Sequence, residues 1–151
     1  MLVFAGPASA HTDGGWQLTL QWPASGTITR PFGLDAWGFH SGVDIGELTS
    51  LDVTAAAPGV VEDVGPAVPG FDGYGTIVFV DLGDGFQALY AHLAQPLVAV
   101  GDSVSTGQLL GIAGCTGICT GTHLHFEVRE DGTPIDPLPL LPATIPAPEG
   151  G

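Results

Sequence analysis

Lysine is missing from this chain altogether. Arg30 and Arg129 are its only strong bases, set against 16 acidic residues for a formal charge of −14. Affinity for nucleic acid and for anionic membrane surfaces comes from Lys and Arg displacing counterions, so no nucleic-acid partner is expected. The absence also removes whole chemistries: there is no Schiff-base amine, no phosphate-binding lysine and no attachment point for biotin or lipoate. Long apolar runs are lacking too. No segment approaches the ~20 residues that cross a bilayer, so no membrane span is expected, and no long helix is visible.

What the chain has in abundance is 24 glycines and 13 prolines within a composition that is 44% hydrophobic. Many short strands joined by tight turns follow from that mixture, because Gly and Pro punctuate helices and serve turns. At 151 residues one domain is expected, burying about two-thirds of its unfolded surface. Trp16 to Trp22 alternates strictly, with Trp16, Leu18, Leu20 and Trp22 on one face. Val60 to Val64, Tyr74 to Asp81, Phe86 to Leu93, Leu109 to Ala113 and His123 to Glu130 read as further strands, with a hairpin around Gly83-Asp84-Gly85. The fold class is therefore all-β and mostly antiparallel.

The domain is assigned to residues 16–141. Before it, MLVFAGPASA ends in the small-x-small pattern Ala8-Ser9-Ala10, and residues 1–15 read either as a signal-peptide remnant or as an ordinary disordered terminus. The stretch from Pro137 onward is proline-rich and reads as extended chain outside the core, with the tail proper at 142–151.

Five histidines are present. His11 sits in the terminal segment with nothing around it and reads as an ordinary surface residue. His123 and His125 lie at i and i+2 of a strand, so they project side by side while Leu124, Phe126 and Val128 face the core. His40, Gly42 and Asp44 share a side if that stretch is extended, with Gly42 leaving open space between a nitrogen and an oxygen ligand. Imidazole and carboxylate suit Zn²⁺, and three protein ligands plus one open position is the arrangement of a catalytic zinc.

HSGVD at 40–44, YAHL at 90–93 and HLHFEV at 123–128, in this order, resemble the LytM/lysostaphin-like zinc metallopeptidases, peptidase family M23. The likeness runs on through WPASGTITRPFG, AAAPGVVEDVG, YGTIVFVDLGDGFQALYAHL, VGDSVSTGQLLGIAG and PIDPLPLL, and so covers the chain from about Trp22 to Leu141. It implies a sheet sandwich of the lysostaphin-like, duplicated hybrid motif type with an active-site groove. Carried over position by position, it makes His40, Asp44 and His125 the ligands of one Zn²⁺ per chain, with His92 and His123 as the catalytic pair. Such a zinc lowers the pKa of a bound water to about 7. The glutamate of H-E-x-x-H is absent, so the two unligated imidazoles are the candidates for moving protons and steadying an oxyanion, His123 as base and His92 as stabiliser or donor. Glu127 shares the face of His125 and reads either as a carboxylate supporting the ligands from behind or, the favoured reading, as an exposed strand carboxylate. Tyr90, two residues before His92, shares its face by alternation and either lines the cleft or packs.

The resemblance further implies the substrate, peptide crosslinks of bacterial cell-wall peptidoglycan, and a secreted, periplasmic or wall-associated protein acting as a monomer. Two departures from the family pattern, Thr122 for the proline before H-x-H and Pro31 before Phe32-Gly33, bear on loop shape and substrate preference. Cys115 and Cys119 could join the histidines in a four-ligand zinc knot. That would leave His40 and Asp44 without a purpose and fill the position that water needs, so a Cys115–Cys119 disulfide bordering the cleft is expected. Two rivals remain. One is an inactive module of the same family that binds cell wall or activates a partner amidase, although such relatives typically lose metal ligands that here are all in place. The other is a phosphohistidine carrier built on His92 or His123, which has no use for Asp44.

Overall fold

A computed structural model describes residues 18–145. Its strands are β1 (Thr27–Arg30), β2 (Gly33–Asp35), β3 (Gly38–His40), β4 (Val43–Gly46), β5 (Asp52–Thr54), β6 (Gly59–Pro66), β7 (Thr76–Gly83), β8 (Phe86–Pro96), β9 (Ser103–Val104), β10 (Leu109–Ala113), β11 (Leu124–Glu130) and β12 (Thr133–Ile135). One three-residue 3₁₀ turn follows at Leu138–Leu140. No helix among the described residues is long and apolar enough to cross a membrane. The all-β expectation holds, and every pairing among these strands is antiparallel.

The main sheet runs β1-β4-β11-β8-β7-β6-β9, with β12 beside β11, while β2 and β3 form a separate hairpin. β8 is long enough to serve twice. Its first half lies between β11 and β7, and its end pairs with β10, which in turn pairs with β5. The β7–β8 hairpin forms where expected: Gly83, Asp84 and Gly85 all have positive φ, a sequence of conformations that glycine and aspartate tolerate best.

Sheet alternation sorts the central strands onto two faces. Val43 and Ile45, Leu124, Phe126 and Val128, Ala88 and Tyr90, and Val78 and Val80 form one buried face, covered by Leu18, Leu20, Val53, Ala55–Ala57, Val104 and Leu110. On the opposite face Ile77, Phe79, Leu89 and Ala91 form a smaller cluster, roofed by Phe71 and Tyr74 from the β6–β7 connection. Burial on both sides explains why TIVFV, ALYAHL and HLHFEV read as nearly continuous apolar runs.

Two expectations need correction. Leu18 and Leu20 do bury, as alternation requires, but residues 19–22 form no ladder; Leu20 donates singly to Leu140 O and Gln21 to Ala56 O. Trp16, like His11 and residues 1–15, lies outside the described residues. The segment after Pro137 is not outside the core: Leu141 is buried, Leu138, Leu140 and Ile145 pack against it, and Trp22 Nε1 donates to Pro142 O. Apolar residues spaced through a proline-rich stretch seal the core without needing ladder bonds. Residues 146–151 of the expected tail lie outside the described residues.

Tyr90 is fully buried and its hydroxyl accepts the Ala56 N–H at 2.9 Å. Tyr90→Phe is therefore expected to leave that amide unpaired and to lower unfolding free energy by about 1–3 kcal/mol, measured by urea denaturation. Unchanged stability would mean the bond contributes nothing.

Candidate metal centre

β11 lies between β4 and β8, and its register sets His125 directly opposite Asp44 on one side and Ala91 on the other. Directly paired residues project to the same face, so a carboxylate and an imidazole meet there as near neighbours. His40 ends β3, and the chain turns back through Ser41 and Gly42 into β4. His40 Nε2 thereby comes within 3.2 Å of Asp44 Oδ1, and His125 Nδ1 within 2.9 Å. One ligand atom from each of His40, Asp44 and His125 lies within 4.8 Å of the others. Gly42 does not leave open space, contrary to expectation. A Cβ there would stand 2.3 Å from Phe126 O and 2.8 Å from Glu127 Cγ, so glycine is required for β4 to close on β11.

The protons decide what this cluster can hold. His40 Nδ1 lies 3.0 Å from Pro31 O, a carbonyl that only an N–H can satisfy, which leaves Nε2 with its lone pair toward Asp44. His125 Nε2 lies 2.8 Å from the Glu127 carboxylate, which leaves Nδ1 as the lone-pair nitrogen toward Asp44 when the ring is neutral. Two imidazole lone pairs and a carboxylate oxygen thus converge with no hydrogen among them. Such a set repels itself unless a proton or a cation enters. Two nitrogens and an oxygen at this spacing fit Zn²⁺, with room for a fourth ligand.

Asp44 and His125 carry the signature of that demand. Burial opposes ionisation of Asp44, but the adjoining imidazoles of His125 and His40 favour its charged form and hold its carboxyl well below the usual range. Burial likewise opposes protonation of His125, and its bonds to Asp44 and Glu127 outweigh it and raise the imidazole's pKa.

His92 reaches the site by a device that alternation does not foresee. Val78 pairs with Tyr90 but Thr76 pairs with Leu93, so β8 spends one residue more than β7. His92 is the residue at the bulge, with φ +62°, a conformation costing of order 1 kcal/mol or more for a side chain of this kind. Tyr90 and Leu93 consequently both enter the core, while His92 turns to the opposite face. Tyr90 is therefore a core residue and not a cleft residue; its shared face with His92 is lost at the bulge.

His92 Nδ1 lies 2.7 Å from Thr116 O and His123 Nδ1 lies 2.8 Å from Gly121 O. Each ring is so held that Nε2 is the free nitrogen, and His123 Nε2 stands 3.7 Å from Asp44 Oδ1. The two rings are 4.7 Å apart, centroid to centroid. Burial pushes the His92 pKa down, only partly opposed by the Thr116 bond.

Glu127 is not an exposed strand carboxylate. It is fully buried, with Oε2 accepting from Ser41 Oγ at 2.6 Å, from the Tyr74 hydroxyl and from His125 Nε2, and Oε1 accepting from Arg129 Nη1 at 2.8 Å. Burial opposes its charge, and the bonds from His125, Ser41 and Tyr74 overcome that, bringing its pKa down to about 2. A carboxylate behind a ligating histidine fixes the ring's tautomer and orientation. Arg129 was legible as a same-face neighbour of Glu127. Ser41 and Thr116 were not, because they come from loops with no periodicity to read; Tyr74, expected to open a strand, lies in the connection before β7, which begins at Thr76.

Cys115 and Cys119 form a disulfide, not half of a zinc knot. Their loop and the β2–β3 hairpin flank a groove of about 650 Å³, at whose base lie His40, Asp44, His92, His123 and His125. Trp37 and Ile118 stand on its rims, 84% and 81% exposed. Arg30, the other basic residue, pairs with Asp35 at 2.7 Å and braces that hairpin.

A family profile described as Peptidase family M23 matches residues 38–137. The chain is 37% identical over 140 residues to the lipoprotein NlpD/LppB homolog of Pseudomonas aeruginosa, covering 93% of this chain and 43% of that protein. It is 36% identical over 128 residues to the DD-carboxypeptidase/endopeptidase Mpg of Neisseria meningitidis, covering 81% and 28%. The murein hydrolase activator NlpD of Escherichia coli is 34% identical over 124 residues, covering 82% and 31%. The chain thus spans less than half the length of these relatives. Among solved structures, the catalytic domain of lysostaphin from Staphylococcus simulans superposes with a TM-score of 0.62 at 32% identity, covering 76% of this chain and 89% of that one. A zinc-containing peptidase from Vibrio cholerae gives 0.67 at 25% identity, covering 84% and 44%.

In the metal-free protein the stabilisation carried by the depressed Glu127 is fully present above its ordinary pKa of 4.5 and is lost as pH falls toward about 2. Unfolding free energy measured in urea across that window is expected to fall with acidification, and Glu127→Gln to flatten the slope; an equally steep slope in the variant would refute the assignment. Glu127→Ala strands Arg129 and the His125 N–H, and is expected to cost about 3–5 kcal/mol by the same measurement.

Proposed function

Because this chain belongs to peptidase family M23, we propose that it is a zinc-dependent endopeptidase that hydrolyses peptide crosslinks of bacterial peptidoglycan. One observation carries the reading. The lone pairs of His40 and His125 and the Asp44 carboxylate converge on one point, and the free nitrogens of two further imidazoles face the same groove. In this reading His40, Asp44 and His125 hold one Zn²⁺ per chain, which when bound supplies Lewis acidity and acidifies a water.

The remaining steps belong to the chain's own groups. His123, anchored through Nδ1 on Gly121 O, offers Nε2 as the base that receives the proton of the attacking water. His92, anchored on Thr116 O, faces the same space and serves the developing oxyanion or the leaving amine. Glu127 holds the His125 tautomer, and Ala91 and Leu89, paired with His125 and Glu127 in the ladder, flank them with buried apolar surface. The open groove accepts an extended peptide. In this reading residues 16–141 are the catalytic unit, acting as a monomer in the cell envelope; the relatives named as a lipoprotein and as a murein hydrolase activator support that location.

A second reading, an inactive module that activates a partner hydrolase, is favoured by the likeness to the Escherichia coli activator. The intact set of His40, Asp44, His92, His123 and His125 weighs against it.

The purified chain is expected to carry zinc and to release new amino termini from purified peptidoglycan. His123→Ala should lower that release about a hundredfold or more while retaining zinc, whereas His40→Ala should lose zinc, measured by metal analysis. A parent that binds no zinc and releases nothing would leave the activator reading in its place.

A further inference from the structure

Thr116 occupies the loop closed by the Cys115–Cys119 disulfide, and it touches the β8 bulge twice. Its hydroxyl accepts from Thr76 N–H at 3.0 Å and donates to Leu93 O at 2.7 Å. Thr76 and Leu93 are the pair that flanks the bulge, so this hydroxyl is inserted into the ladder where the extra residue parts the strands. The backbone carbonyl of the same residue receives the His92 Nδ1–H at 2.7 Å. His92 N–H, in turn, donates to Tyr74 O. One threonine thus fills the ladder at the bulge that turns His92 toward the groove and also sets that ring's tautomer.

The loop has little freedom to present Thr116 in any other way. Ile118 N–H donates to Gly73 O at 2.8 Å. At Gly75, with φ +68°, an added Cβ would stand 2.4 Å from Thr116 C; at Gly117, with φ +77°, it would stand 2.4 Å from Gly73 O. The two loops are docked backbone against backbone, and the disulfide ties the ends of the second one together.

We propose that Thr116 is the positioning residue of His92 and that the Cys115–Cys119 disulfide holds Thr116 in register. The proposal rests on the reading that His92 serves the reaction and His40, Asp44 and His125 the metal. Without the inserted hydroxyl the bulge loses its bridge, and regular alternation would return His92 toward the face of Tyr90. Without the carbonyl the ring would exchange tautomers and turn. Neither loss touches a metal ligand, so the step time should suffer while metal binding does not.

The test uses the full zinc-loaded chain and a soluble crosslinked muropeptide dimer as substrate. Thr116→Val keeps the shape but removes the hydroxyl. It is expected to lower kcat about tenfold to a hundredfold, as misplacement of a reacting group does, with KM and zinc affinity in chelator competition little changed. Thr116→Ser should restore kcat. The Cys115→Ser/Cys119→Ser double variant should lose part of kcat in the same direction. Long-range proton–nitrogen spectra of the histidine side chains should show His92 as a single Nδ1–H tautomer in the parent and as a mixture in Thr116→Val. A Thr116→Val protein with unchanged kcat and unchanged tautomer overturns the proposal, as does a loss of zinc affinity that parallels the loss of kcat. Should the parent prove inert on the substrate, the peptidase reading falls, while the tautomer spectra still decide whether Thr116 positions His92.

Discussion

Asp44 Oδ1 stands 2.9 Å from His125 Nδ1 and 3.2 Å from His40 Nε2, and the surrounding structure is arranged so that nothing but a proton or a cation can relieve that approach. The contact depends on β4 and β11 lying in register, which in turn depends on Val43, Ile45, Leu124 and Phe126 filling the core behind them. It also depends on Gly42, where any side chain would meet the β11 backbone. Close packing on one face of a sheet therefore sets an electrostatic requirement on the other.

That requirement is kept in place by a second carboxylate. Glu127 lies wholly inside the protein, a position that costs several kcal/mol for an unpaired charge, and it persists because Arg129, Ser41, Tyr74 and His125 all donate to it. The two arginines of a chain with a formal charge of −14 each pair with a carboxylate, Arg129 with Glu127 and Arg30, which lines the groove, with Asp35.

Backbone conformation supplies what side-chain alternation cannot. His92 faces the groove only because β8 carries an extra residue held at positive φ, and the loops around Gly73–Gly75 and Cys115–Cys119 close on that bulge. Strain at one residue is offset by bonds from segments distant in sequence.

The amino-acid sequence by itself determined the all-β class, the main strands and hairpin, the facing of His123 and His125 away from Leu124, Phe126 and Val128, and the motifs that mark the family. These follow from local rules: a strand alternates every two residues, and Gly-Asp-Gly turns. Tertiary structure alone decided that Glu127 is buried, that Tyr90 belongs to the core, that Gly42 is a packing necessity, that the residues from Leu138 to Ile145 seal the domain and that residues 19–22 form no ladder. Each of these turns on what lies across from a residue. Periodicity says which way a side chain points relative to its own backbone, and it fails where a bulge resets the count or where the opposite wall comes from a distant turn.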